Sequence, residues 1–231
     1  TEKDITIDAA GKKLAVDVTS SGKEYDATGV HINKKLNVKA DILDITAKSA
    51  NKLSLGMFVH NGGTATIDGN VSVKAFQGGD GTAYGINLAN KESALTINGN
   101  LFMKGEGTEG DALYGVRTAK KHTAPFVELY QAAGINIFGK TGATLTVNGK
   151  ADIAVKGVGV NLRGSDKNKV YIQSGHILTP EDKNEIYQAV TNQKGTFSMG
   201  VSKEDSQMAV EEDTTVQGGI TVSNGGIVNI G

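Results

Sequence analysis

The sequence predicts an all-β protein: a single parallel β-helix, or β-solenoid, interrupted by two short helical insertions. First, a two-part unit recurs. Residues 93–118 read SALTINGNLFMKGEGTEGDALYGVRT, residues 64–88 contain TATIDGNVSVKAF and then AYGINL, and residues 143–162 read ATLTVNGKADIAVKGVGVNL. Self-similarity at such a period marks a repeat architecture. Second, the apolar residues alternate through the Asn-Gly without losing phase, as in Leu95, Ile97, Gly99, Leu101 and Met103. Third, a short strand beginning at glycine closes each unit: GVHI (29–32), GMFV (56–59), GINL (85–88), GVRT (115–118), GINI (134–137) and GVNL (159–162). Three strands per turn, at roughly 20 to 30 residues a turn, describe coils that pair only with their neighbours.

Asn-Gly between alternating segments is ordinarily a strong hairpin signal, but parity argues against a hairpin here. A two-residue hairpin would set Thr96 opposite Leu101 and Ile97 opposite Asn100, and cross-strand partners share a face, so the apolar set would be split. A chain that bends at the glycine and continues keeps the set together, which predicts Ile67, Ile97 and Val147 in one interior column. Asp68, Asn98 and Asn148 then stand above one another at the ~4.8 Å strand spacing. They either hydrogen-bond along the stack or hold a left-handed backbone before glycine. Tyr84 and Tyr114 each precede a third-strand glycine and are expected to stack in adjacent coils.

In chain order, residues 4–62 hold about two coils, around LAVDV (14–18) and LNVKADILDI (36–45). Residues 63–116 are the most regular pair. The first insertion is placed at about 117–133, where Pro125 suits a first helical position and Phe126, Leu129, Tyr130 and Ala133 have helical spacing. The second is placed at about 178–195. There Thr179 reads as an N-cap, Pro180 as the first helical residue, and Glu181 and Asp182 as first-turn acids; Ile186, Ala189 and Val190 give an apolar stripe before Gly195. TTVQGGITV (214–222) then resumes the solenoid, with Val216, Gly218, Ile220 and Val222 in the phase of Ile97, Gly99, Leu101 and Met103. Both ends fall in repeat material, so residues 1–231 are expected to be one fragment of a longer solenoid.

Composition narrows the function classes. Thirty-one glycines and two prolines among 231 residues suit a solenoid, whose corners need unusual backbone angles and whose inner strands need every N–H. With 24 basic and 25 acidic residues the net charge is −1, which implies neither nucleic acid nor insertion into a membrane surface. The absence of cysteine excludes thiol catalysis, thiolate-bound zinc and disulfides. His31, His60, His122 and His176 show no HExxH or HxH spacing, so no metal site and no cofactor are expected, and His60 reads as a surface residue. No GxSxG or P-loop occurs, the carboxylates sit singly, and no catalytic residue is assigned. GGDGTAYG (78–85) occurs once, too few times for a calcium turn that binds by repetition.

Two candidate binding surfaces follow. If Val30, Ile86, Val116 and Val160 point inward, the residues beside them point outward, giving a mixed row of His31, Phe58, Asn87, Arg117 and Asn161. The first insertion concentrates Arg117, Lys120, Lys121, His122, Phe126 and Tyr130, a mixture of cations and aromatics suited to protein or glycan partners.

The pairing of ALTINGNL…ALYGV and TATIDGNV…AYGINL resembles the passenger region of bacterial type V autotransporters. The resemblance spans most of the chain through degenerate repeats. It implies a right-handed β-helical stalk, carried on a bacterial outer membrane by a barrel that is not in this sequence, and acting in adhesion or aggregation. The implied partners are a host or bacterial surface protein or glycan, or a second copy of the chain. A carbohydrate-active β-helix enzyme and a purely structural stalk are the alternatives.

Overall fold

The computed structural model describes residues 3–22, 26–50, 52–77, 82–104, 132–155, 158–178, 188–201 and 214–231. Two parallel sheets enclose one apolar core. Sheet A contains β1 (Ile5–Ser20), β3 (Lys35–Ser49), β5 (Thr64–Gln77), β7 (Ser93–Ile97), β8 (Leu101–Lys104), β10 (Ala143–Ala154), β12 (Lys169–Leu178), β14 (Thr196–Met199), β15 (Thr214–Val216) and β17 (Ile227–Ile230). Sheet B contains, in spatial order from one edge, β2 (Ala27–Ile32), β4 (Ser54–His60), β6 (Ala83–Asn90), β9 (Ala132–Gly139), β11 (Val158–Leu162), β13 (Gln188–Asn192) and β16 (Gly219–Val222). The chain alternates between the walls, so each rung lies on the one before it, as a parallel β-solenoid requires.

The predicted phase holds. Val38 pairs with Ile67, Ile67 with Ile97, Ile97 with Val147 and Val147 with Ile172, one in-register column inside sheet A. All five side chains are buried, each contributing about 1.5–3 kcal/mol of transfer free energy. The Asn-Gly is a bend within one rung: β7 and β8, on either side of it, both pair in parallel with β10 and β5. Glycine is required there by close stacking, because a Cβ on Gly99 would fall 2.5 Å from the Gly69 carbonyl oxygen. Gly56 opens a sheet B strand for a different reason: its Cβ would fall 2.2 Å from Cγ1 of Val73 across the core.

Several expectations are corrected. No helix occurs among the described residues, and none there is long and apolar enough to cross a membrane. Ala132 and Ala133 belong to β9, and Gln188–Asn192 form β13, so Ala133, Ala189 and Val190 are strand residues. Ala189 and Val190 are both buried, so the apolar spacing taken for a helical stripe is that of a rung packed on its neighbours. Residues 117–131 and 179–187 of the two proposed insertions lie outside the described residues. GVRT also lies outside them, and the rung next to GINL is GINI, with Ile86 paired to Ile135. Tyr84 pairs with Leu55 and Ala133, and its expected partner Tyr114 lies outside the described residues. TTVQGGITV is the corner between walls, not the bend within sheet A: Val216 pairs with Ile177 and Ile220 with Val190.

Candidate functional site

Strand alternation places Asn87 opposite to its core neighbours Ile86 and Leu88, on the outer face of sheet B. Register extends this into a row: His31 pairs with Phe58, Phe58 with Asn87, Asn87 with Asn136, Asn136 with Asn161 and Asn161 with Thr191. Four of the five residues expected in this row, His31, Phe58, Asn87 and Asn161, are in it. Asn136 occupies the position expected for Arg117, which lies outside the described residues together with Lys120, Lys121, His122, Phe126 and Tyr130. Asn136 was legible in principle, since GINL, GINI and GVNL all carry asparagine at the same place.

The row is not accessible along its whole length, as a binding strip would be. Asn87, Asn136 and Asn161 are only 9%, 2% and 6% exposed. Their amides join in a ladder, with Nδ2 of Asn136 donating to Oδ1 of Asn87 at 2.7 Å and Nδ2 of Asn161 to Oδ1 of Asn136 at 2.9 Å. An amide carries donor and acceptor at once, so a stack of asparagines satisfies itself rung by rung. Beyond Asn161 the ladder stops at Thr191, whose buried hydroxyl has no partner in the structure. A second ladder follows the bend of sheet A, where Asn98 donates to Asp68 and Asn148 donates to Asn98 at 2.8 Å. Of the two readings for these residues, hydrogen bonding along the stack is the one observed; neither Asn98 nor Asn148 has a positive φ.

Toward its β2 end the same face changes character. His31 is exposed, and Phe58 and His60 are half-buried. The ring centres lie 5.2 Å apart for His31 and Phe58, 4.6 Å for His31 and His60, and 4.5 Å for Phe58 and His60, with planes within 17° of one another. The two Nε2 atoms are 2.5 Å apart. Ring faces pack no closer than roughly 3.5 Å, so the imidazoles meet edge to edge, with the Phe58 ring against both. Burial and the neighbouring His60 hold the His31 imidazole below the ordinary histidine range. The scattered histidines of the sequence thus include one converging pair that their spacing of 29 residues concealed.

Further along, Ala89 pairs with both His60 and Phe138. Phe138 is 36% exposed, and the Arg163 guanidinium sits 4.6 Å from its ring centre. Burial raises the Tyr84 phenol above its ordinary value, with the Arg163 charge opposing that shift. A separate open groove of about 470 Å³ lies at the start of the sheet A rungs, where Ala94 leaves a dip beside Thr144. Glu92, Asp166, Lys167 and Lys169 line it, two charges of each sign. Among the described residues no three histidine, aspartate or glutamate side chains converge as a ready metal cage.

The chain matches no protein-family model, no curated protein and no solved structure.

Proposed function

We propose that this chain is a right-handed β-helical segment of a bacterial surface protein of the autotransporter passenger type, acting in adhesion or aggregation without catalysis. The supporting observation is the outer face of sheet B. A regular solenoid presents accessible rings and a cation there, Phe138 with Arg163 in one place and His31, Phe58 and His60 in another. Aromatic and arginine side chains on a rigid surface suit contact with a protein or glycan partner, because little side-chain entropy is lost on binding. The partner is a surface protein, a glycan or a second copy of the chain, and the working location is the outside of the cell.

The stalk reading has its own support in the two ladders, one buried on sheet B and one exposed at the bend of sheet A, which commit polar side chains to one another along the stack. A panel of host glycans and matrix proteins, run beside an assay for released saccharide product, separates the readings. Saturable binding without product supports adhesion, product release supports an enzyme, and neither supports a stalk. On a positive panel, Phe138→Ala with Arg163→Ala tests the sheet face. Deletion of residues 118–131 tests the cationic and aromatic segment while leaving Ala132 and Ala133 in their rung.

A further inference from the structure

We propose that His31 and His60 form a two-imidazole site for a borderline transition-metal dication such as Zn²⁺, with water completing the coordination. The argument begins with placement. His31 stands on β2 and His60 on β4, adjacent parallel strands whose register sets His31 beside Phe58 and therefore diagonal to His60. β4 is hydrogen-bonded on both sides, to β2 and to β6, so at least one ligand sits on a backbone already held in position. Both Nε2 atoms point into the same small volume, 2.5 Å from each other.

In the absence of a cation, two neutral imidazoles can meet this way through one N–H···N hydrogen bond, with one ring donor and the other acceptor. A cation takes the place of the shared proton, which moves through solvent to Nδ1 of the donor ring, so that both neutral rings present an Nε2 lone pair. Two Zn–N bonds of roughly 2.0–2.1 Å at a tetrahedral angle set the nitrogens about 3.3 Å apart. The pair therefore has to open by less than about 1 Å, a rotation within reach of side chains at the surface.

The surroundings favour the metal-ready form. The strands β2, β4 and β6 read ATGVHI, SLGMFVH and AYGINLAN, with no lysine, arginine or carboxylate among them. No strand charge competes with the metal for the rings. Burial, then the second ring and then the positive chain terminus lower the His31 pKa, favouring the neutral form that a ligand needs. Imidazole nitrogens select Zn²⁺, Ni²⁺ and Cu²⁺ over Ca²⁺ and Mg²⁺, which need oxygen ligands. Two protein ligands leave open positions, so the bound ion stays available to a further donor from outside the chain.

Isothermal titration of the full chain with ZnCl₂ at about pH 7.5, where imidazole is neutral, is expected to show one saturable site that CaCl₂ does not fill. His31→Ala and His60→Ala should each weaken it at least tenfold, while His122→Ala and His176→Ala leave it unchanged. In the unmutated chain, ¹⁵N chemical shifts of the His31 and His60 rings should move together on addition of Zn²⁺, a readout that does not depend on how a variant folds. The proposal is overturned if the unmutated chain takes up no Zn²⁺ below about 1 mM. It is equally overturned if binding survives intact in both the His31 and His60 variants, or if only other ring signals shift.

Discussion

The outer row of sheet B contains two stretches built on the same lattice that behave as opposites. From Asn87 to Asn161 the row is closed, each amide spending its hydrogen-bonding capacity on the rung beside it. At His31 and Phe58 it is open, and the His31 ring meets that of His60 from the row beside it. Backbone spacing and register are shared, so the difference lies in the side chains. An amide with donor and acceptor side by side propagates along parallel rungs, whereas a neutral imidazole carries them on separate ring nitrogens and does not repeat from rung to rung here. In a solenoid, side-chain chemistry decides whether a surface row becomes part of the scaffold or a place to bind.

The sharpest way to break the closed stretch is Asn136→Asp. It places a carboxylate at a position 2% exposed, facing the acceptor oxygen of Asn87. Loss of about 3 kcal/mol or more is expected, read from the midpoint of urea unfolding. Asn136→Ala removes the middle amide and strands one group on each side, for an expected loss of about 1–3 kcal/mol. Thr191→Asn extends the ladder by one rung past Asn161, where the threonine hydroxyl now has no partner. A gain of about 1 kcal/mol is expected, and an unchanged midpoint would show that the ladder does not propagate.

At the open stretch, metal-free stability should hardly respond. His60→Ala is expected to change it by about 0.5 kcal/mol or less. The pH dependence is smaller still and has a definite sign. The folded His31 pKa is depressed from 6.5, mainly by burial and then by His60, so the unfolded chain binds the proton more readily. Stability therefore holds above 6.5, falls as pH drops from there to the depressed folded value, and is flat below it with respect to this group. Unfolding midpoints measured in that window should lose this slope in His31→Ala.

The repeat, the interior column and the continuation through Asn-Gly were legible because strand parity is a local property of the sequence. The closed ladder was half legible: Asn87 and Asn161 were placed in the outer row, but Asn136 was missed because the rung between them was assigned to GVRT. Which coil stacks on which is decided by packing across 49 residues, and the local pattern is silent about it. The histidine pair was hidden for the same reason, since the two rings stand on different strands 29 residues apart. Ala189 and Val190 misled because a short apolar pair fits a helical stripe and a buried rung equally well.

The step from Asn87 to Asn136 has a kinetic meaning as well. Adjacent rungs of this wall are joined by chain segments that differ in length, 49 residues at that step and 25 at the next, Asn136 to Asn161. Ordering a new rung on a finished one costs loop entropy that rises by about 0.6 kcal/mol for each doubling. That single doubling makes the β6–β9 step about threefold slower than the next, while sheet A stays continuous across the seam through β7 and β8. Stopped-flow refolding should quicken by about that factor when residues 105–131 are shortened. In native-state hydrogen exchange the outermost rungs, where Ile5 and Ile227 are accessible, should exchange first.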